Sequence, residues 1–513
     1  MSLSFEALLQ DVSGIITSAD ANAFADIDVS DMTLDSREVT TGSVFVALRG
    51  LNAHGLDYAA VAEQAGAVAV LWEFGSSVVV PELTIPMVGI KALPVSLGGI
   101  AARLYDYSDQ DLQIVGITGT DGKTSVSHFL AQAMNASGKS CSVIGTLGIG
   151  NPNALEKATH TTPDVISVHK NLQRLSSRGS RCVAMEVSSH ALDQQRVAGV
   201  NFDEAVLTNL TRDHLDYHGT VEAYADAKAK LFLAHQPKAA VLNLDDAFGV
   251  RLAQVLKSSA ADVYAYAIVD SDNVDDFSGI AERVLLASNA SFDHHGLRAD
   301  IAYLGKTYRL EAGVLGDFNL SNLLATAATL IGLGYAPETA LAMVAKVETV
   351  PGRIEKIQWS AEQKFLTVVD YAHTPGALES VLNALRIHCA GRLICVFGCG
   401  GDRDQGKRPL MAAAAERLAD VVVVTDDNPR NEEPQAIMKD ILIGFEQPDS
   451  VVVEHDRAAA ICYAVSIARS GDVVLVAGKG HEQFQLVRGE EFAFDDRKQI
   501  ATALTELAKR AVA

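Results

Sequence analysis

Short apolar runs alternate with amphipathic stretches along most of this chain. A run that is apolar at nearly every position, rather than every second one, is a strand buried on both faces. From Gln113 the order is QIVGITG, a helical stretch from Lys123, CSVIGTLG, a helical stretch from Asp164, RCVAMEVSS and EAVLTNL. Such alternation predicts a parallel sheet covered by helices on both sides. The pattern recurs later in FLTVVDYAH, RLICVFGCG, DVVVVTDD, SVVVEHD and DVVLVAGKG, which predicts a second open α/β sheet. The first hundred residues mix SVFVAL, AVAVLW, SSVVV and IPMVGI with a helical stretch around Tyr58 to Gly66, and read as a smaller α/β domain. At roughly 100–200 residues per domain, 513 residues suggest about three. The stretch from Phe292 to Gly316 turns β-rich, and the Pro-Gly pair of VPGRIE at Val350 to Glu355 marks a boundary. The expected domains are 1–106, 107–349 and 350–513.

Composition excludes several classes. A hydrophobic fraction of 48% is too high for a disordered chain. Forty-two Lys and Arg against 64 Asp and Glu give a net charge of −22, which repels a phosphate backbone, so no nucleic-acid partner is expected. The cysteines Cys141, Cys182, Cys389, Cys395, Cys399 and Cys462 form no CxxC pair, so neither a disulfide framework nor a zinc site is expected. MSLSFEALLQ lacks the features of a signal peptide and no long apolar segment follows, so no membrane insertion and a cytoplasmic location are expected.

Three strand ends carry the chemistry of the middle region. Gly119, Thr120, Asp121, Gly122, Lys123, Thr124 and Ser125 follow an apolar strand and open a helix, where backbone N–H groups, the helix dipole and one lysine can hold phosphates. The strict P-loop spacing would need glycine at 117, which is Ile117, so the loop is shorter. A structural strand-to-helix turn is the alternative, but turns seldom need Gly-Lys-Thr together. Glu186 ends another strand and can serve Mg²⁺ together with Thr124. The segment Asn209 to His218 places further possible ligands, His214 among them, after a third strand. In the second sheet, polar clusters at His373, Asp402 to Arg403, Asp427 to Arg430 and Lys479 to Glu482 fall at strand C-termini, where open α/β sheets bind ligands.

GTDGKTS, EVSSHAL, TNLTRDHLDYHG and YADAKAKLF together resemble the Mur ligase family. LGDFNLSN, VPGRIE, DYAHTPGALE, GCGGDRDQGKRP, DNPR and GKGHE extend the likeness, and LDSREV with GSVFVALRGLNAHG carries it to the N-terminal domain. The resemblance implies a UDP-binding domain, a central ATPase and a C-terminal Rossmann-like domain. It is strongest to the branch that adds meso-2,6-diaminopimelate to UDP-N-acetylmuramoyl-L-alanyl-D-glutamate. It implies ATP and Mg²⁺ as cofactors, an acyl-phosphate intermediate, and a monomer acting on small-molecule substrates. Lys123 would neutralise phosphate charge, while Thr124, Glu186, His214 and a carbamylated Lys228 would serve metal. Read without the resemblance, Lys228 is a solvated helix lysine and Lys230 an equal candidate.

The likeness also assigns Leu34, Ser36, Leu51, Asn52 and Ala53 to the uridine diphosphate end, and Thr161, Thr162, Ser188, Gln194 and Arg196 to the muramoyl peptide. Arg403, Asp427, Asn428, Pro429, Arg430, Gly478 and Glu482 would bind diaminopimelate. Arg430 offers a planar fork for its distal carboxylate, the alternative being a surface ion pair with Glu432 or Glu433. Two positions depart from the commoner pattern: Asp121 stands where Asn is usual, and His160 where Asn is found. Folylpolyglutamate synthase shares the ATPase and C-terminal domains but lacks the N-terminal module and DNPR. A nucleotide switch without ligase chemistry would leave the C-terminal polar cluster unexplained.

Overall fold

A computed structural model of the chain describes residues 2–17, 26–50, 53–75, 78–107, 111–269, 277, 279–360 and 363–512. It divides into two compact units. One comprises Met1–Ala265, Ser278–Arg283 and Ala328–Gly334, the other Tyr266–Phe277, Val284–Ala327 and Tyr335–Ala513. Among the described residues no helix or strand crosses residue 106 or 349, the expected domain limits.

The first unit holds a five-stranded sheet in the order Ile15–Thr17, Met87–Ile90, Ala69–Glu73, Ser43–Ala47, Asp31–Thr33. All neighbours are parallel except Ile15–Thr17. The strand expected at SSVVV is absent: Val78 to Val80 lie in no strand and Val79 is 87% exposed, while Ser76 and Ser77 lie outside the described residues. Strand propensity only expresses fit to a paired, half-buried surface. Met87–Ile90 takes the place beside Ala69–Glu73.

The same unit holds the parallel part of the phosphate-loop sheet, ordered Cys141–Gly145, Cys182–Glu186, Gln113–Thr118, Glu204–Leu207, Ala239–Asn243. Its strands are buried along nearly their whole length, as expected for a sheet covered on both faces. Glu186 pairs with Ile117, and Leu207 with Thr118. That register brings three loops to one edge.

The β-rich stretch is longer than expected: antiparallel strands run Arg283–Asp293, Gly296–Tyr303 and Lys306–Ala312, all but Arg283 in the second unit. The C-terminal sheet is ordered Glu355–Lys356, Leu366–Asp370, Val473–Ala477, Leu393–Phe397, Val421–Val424, Val452–Val453, parallel apart from its first strand. Alternate residues serve opposite faces: Val368, Cys395, Phe397 and Leu475 join one core, and Val369, Ile394, Val396 and Val474 the other. The six cysteines are free. Among the described residues no helix is long and apolar enough to cross a membrane.

Candidate active site

The loop between Thr118 and the helix Lys123–Ala136 turns on two glycines in left-handed conformation, Gly119 at φ +151° and Gly122 at φ +82°. A Cβ on Gly119 would overlap Thr208 Oγ1. The segment after Glu204–Leu207 clamps the loop: Asn209 O accepts from Thr120 N (3.0 Å), Asn209 Oδ1 from Asp121 N (2.9 Å), and Thr208 Oγ1 donates to Asp121 O (2.5 Å). Lys123 Nζ donates to Gly119 O (2.8 Å) and Thr120 O (2.9 Å), which fixes its charge over the loop. Thr124 and Ser125 follow in the first helical turn, and Asp121 is exposed.

Glu186 lies beside this loop, 1% exposed. Its Oε2 accepts from Thr124 Oγ1 (2.9 Å) and Thr146 Oγ1 (3.1 Å), and its Oε1 from Thr146 N (2.9 Å). Burial raises its carboxyl pKa, opposed by the Lys123 charge and these hydrogen bonds. Gly145 permits the approach, because a Cβ there would run into that carboxylate. A buried carboxylate with a threonine hydroxyl is an all-oxygen donor set that suits Mg²⁺, an ion that keeps most of its own waters.

Lys228 and Lys230 are separated by their surroundings. Lys230 is half-exposed and pairs with Asp193 at 2.8 Å. Lys228 is 1% exposed, donates to Gly119 O at 2.8 Å and lies 4.4 Å from the Tyr224 ring centre. Burial, and then the Lys123 charge, push its pKa down to about 6. Its amine is therefore largely neutral at pH 7, unlike an ordinary lysine. His214 adopts φ +52° and is half exposed, its ring 4.9 Å from that of His190. Among the described residues no three His, Cys, Asp or Glu side chains converge as a metal-binding group. Thr124 and Glu186 bring two oxygen donors together, joined by a 2.9 Å hydrogen bond.

The residues expected to meet the muramoyl peptide form one network with Glu186. Thr162 Oγ1 donates to Glu186 O (2.9 Å) and accepts from Ser188 N (3.1 Å). Arg196 donates to Thr162 O (3.1 Å) and, through Nε and a terminal nitrogen, to Gln194 Oε1 (2.9 and 2.6 Å). Thr161 Oγ1 lies 3.1 Å from Thr146 Oγ1, whereas His160 is exposed. Leu34, Ser36 and Ala53 follow the carboxyl ends of two adjacent parallel strands of the small sheet, Asp31–Thr33 and Ser43–Ala47. Leu51 and Asn52 lie outside the described residues. Thr146 and Tyr224, whose hydroxyl is 3.2 Å from Thr120 Oγ1, were not singled out from sequence. Thr146 carried the same signal as Glu186, a polar residue just past an apolar strand.

In the second unit, Asp427, Asn428, Pro429 and Arg430 follow Val421–Val424, Gly478 to Glu482 follow Val473–Ala477, and Arg403 follows Leu393–Phe397. Asp427, Asn428 and Pro429 are buried. Asn428 Nδ2 donates to Glu482 Oε2 (2.9 Å), and buried Lys479 donates to both Asn428 Oδ1 (2.9 Å) and Glu482 Oε2 (3.2 Å). Gly478, at φ +117°, lets Asp427 approach; a Cβ would stand 2.5 Å from Asp427 Oδ2. Arg430 holds φ +52°, a strained conformation for a side-chain-bearing residue, and donates to Gly401 O (2.7 Å). The surface ion pairs offered as its alternative do not form. Glu432 is engaged by buried Arg408 (2.9 Å) and Glu433 by Arg488 (3.2 Å), and Arg430 has no ion pair among the described residues. Arg403 is exposed. Behind the pocket, fully buried Arg457 grips Asp496 with two hydrogen bonds of 2.8 Å and donates to Ala477 O (2.9 Å).

A phosphate loop with a buried carboxylate on one parallel sheet, and a charged pocket at the strand ends of a second, describe a nucleotide-dependent ligase. The chain belongs to the Mur ligase family. Residues 28–103 match the "Mur ligase family, catalytic domain", 117–330 the "Mur ligase middle domain" and 352–480 the "Mur ligase, glutamate ligase domain". It is 47% identical over 476 residues, 93% of this chain and 95% of the relative, to the UDP-N-acetylmuramoyl-L-alanyl-D-glutamate--2,6-diaminopimelate ligase of Pseudomonas syringae pv. tomato. The Pseudomonas aeruginosa ligase of the same name is 46% identical over 479 residues, covering 93% of this chain and 96% of that one. A solved structure of a ligase with this name superposes with a TM-score of 0.73 at 33% identity, over 99% of this chain and 100% of the other. The three-domain architecture is that of the Mur ligases.

Proposed function

We propose that this chain is the ATP-dependent ligase that adds meso-2,6-diaminopimelate to UDP-N-acetylmuramoyl-L-alanyl-D-glutamate, in cytoplasmic peptidoglycan precursor synthesis. The observation that carries the reading is the 46–47% identity over 93% of the chain to relatives of that name. Arg430 supports the acceptor: it donates to Gly401 O and pairs with no carboxylate among the described residues. The D-glutamyl carboxylate oxygen attacks the γ-phosphorus and ADP leaves. The amine nitrogen of diaminopimelate then attacks the acyl carbon, phosphate leaves, and the amine's proton passes to solvent.

No protein nucleophile is needed, so the chain contributes position and charge. Lys123 follows the charge of the transferring phosphoryl group, and the loop N–H groups hold the neighbouring phosphates. Thr124 and Glu186 would hold Mg²⁺, which when bound neutralises phosphate charge. Lys228, largely neutral, is suited to attack CO₂ through its nitrogen and release one proton, which gives a carbamate that would serve metal. His214 is assigned to a second cation. Thr161, Thr162, Ser188, Gln194 and Arg196 hold the muramoyl peptide, and Leu34, Ser36, Leu51, Asn52 and Ala53 the uridine diphosphate. The pocket of Arg403, Asp427 to Arg430, Gly478 and Glu482 takes diaminopimelate. Glu482 is already bound by Lys479, so the distal ammonium would share that carboxylate.

The test is an acceptor panel with ATP, Mg²⁺ and the UDP-linked dipeptide, read by product mass. Only meso-diaminopimelate should give tripeptide, and phosphate release should require the nucleotide sugar. Arg430→Ala should cost roughly 2–5 kcal/mol of transition-state binding for diaminopimelate and gain little for L-lysine. Equal use of L-lysine by the wild type, or unchanged selectivity in Arg430→Ala, would overturn the reading.

A further inference from the structure

The strand Phe484–Val487 and its antiparallel partner Glu490–Ala493 form a hairpin closed by Arg488 and Gly489, both at positive φ (51° and 82°). This is the conformation of a tight two-residue turn. The hairpin is a two-stranded sheet of its own, separate from the C-terminal sheet. It pairs instead with the loop of Asp427 to Arg430. Gln485 Nε2 donates to Asp427 O (2.7 Å), Leu486 N to Asn428 Oδ1 (3.0 Å), Arg430 N to Leu486 O (2.9 Å) and Arg488 N to Arg430 O (2.6 Å), with Val487 and Arg430 in a parallel bridge.

These bonds leave the loop little freedom. Asn428 Oδ1 accepts from both Leu486 N and Lys479 Nζ, so a flipped amide would turn its own N–H₂ against two donors. Arg430 has its N–H and its carbonyl both bound to the hairpin, which holds its strained φ of +52°. Strained backbone persists only where its surroundings over-determine it. The orientations of Asn428 and Arg430 are therefore set by a segment outside their own loop.

The geometry points to the hairpin as the specificity clamp of the acceptor pocket, with Gln485 as a positioning residue that acts through Asp427, Asn428 and Arg430. This rests on the acceptor pocket of the proposed function. Gln485 acts on the loop through its amide, which donates to Asp427 O. Removing the donor while keeping the length, Gln485→Met, should loosen the loop and leave the phosphate loop untouched.

The full chain is assayed with its own acceptor, first identified on the wild type by the amino-acid panel. Gln485→Met should raise the acceptor KM and lower acceptor kcat/KM by about tenfold, as loss of one good hydrogen bond does. The preference for diaminopimelate over L-lysine should fall by a similar factor, with the KM values for ATP and the UDP-linked dipeptide within about twofold of wild type. Gln485→His, which keeps an N–H donor, should recover part of the loss. A uniform fall in all three substrates, or an unchanged acceptor preference, overturns the clamp. If the wild type uses another amino acid, the proposed function fails, and the clamp is judged on that acceptor's KM. Amide hydrogen exchange on the wild type is read alongside, and covers a Gln485→Met that does not fold. Arg430 and Arg488 amides should be protected in the free enzyme, and rapid exchange at both would refute a preformed clamp.

Discussion

Replacing Lys228 by methionine should stabilise the protein while abolishing its activity. The buried amine has its pKa pushed from an ordinary 10.5 to about 6, mainly by burial and then by Lys123, with Asp213 and Asp121 opposing. At pH 7 the unfolded lysine is protonated and the folded one is largely neutral, so the unfolded state binds more protons. Stability then rises with pH between about 6 and 10.5 and is lost as pH falls through that window. The deficit at pH 7 spans 10.5 − 7 = 3.5; at about 1.4 kcal/mol for each tenfold step this is a ceiling of roughly 5 kcal/mol. Methionine keeps the length and loses the bond to Gly119 O, worth about 1 kcal/mol, and relaxation around a buried charge takes more. A net gain of about 2–4 kcal/mol at pH 7 remains. The assay is thermal or urea unfolding of both proteins from pH 6 to 10 in CO₂-free buffer, with tripeptide formation measured in parallel. The Tm advantage of Lys228→Met should shrink toward pH 10, and turnover should fall by more than about a hundredfold. A variant less stable at pH 7, or a gap independent of pH, would refute the account of the buried amine. Normal turnover would remove Lys228 from the mechanism.

Local patterns were legible where chemistry and chain direction coincide. The phosphate loop is one strand, one turn and one helix, so GTDGKTS announces it without tertiary information. Glu186 and the loop of Asp427 to Arg430 were found by the same logic, because polar residues just past an apolar strand must emerge at its carboxyl edge. Only the resemblance separates Lys228 from Lys230 in the sequence, since both fit one helix and only packing under Gly119 makes the first buried. Arg457 and Asp496 are far apart in sequence and no periodicity links them. FQLVRGEEFA carries charges on an exposed strand, so its alternation is weak and the hairpin passed unread. SSVVV erred the other way, its β-branched residues satisfying propensity with no neighbour to pair.

Two further substitutions test the structure away from Lys228. Lys123→Ala should lower turnover by roughly 10²–10³-fold with a near-native Tm, because the charge it supplies is needed as the phosphoryl group transfers. It should also raise the Glu186 carboxyl pKa further, since Lys123 is the largest influence holding it down, and a wild-type rate would remove the phosphate loop from the mechanism. Arg457→Met addresses the scaffold. It leaves Asp496 fully buried without its partner and frees Ala477 O at the strand end before Gly478. Breaking one side of a buried pair costs about 3–5 kcal/mol, whereas replacing both sides with apolar residues of similar volume is often neutral. Arg457→Met should therefore unfold at markedly lower urea, and Arg457→Met with Asp496→Leu should recover most of the loss. Acceptor KM should still stay raised in the double variant, because Ala477 O keeps no donor behind the pocket. A single variant within 1 kcal/mol of wild type would show that the pair does not bear on stability, and a normal acceptor KM in the double variant would show that it does not shape the pocket.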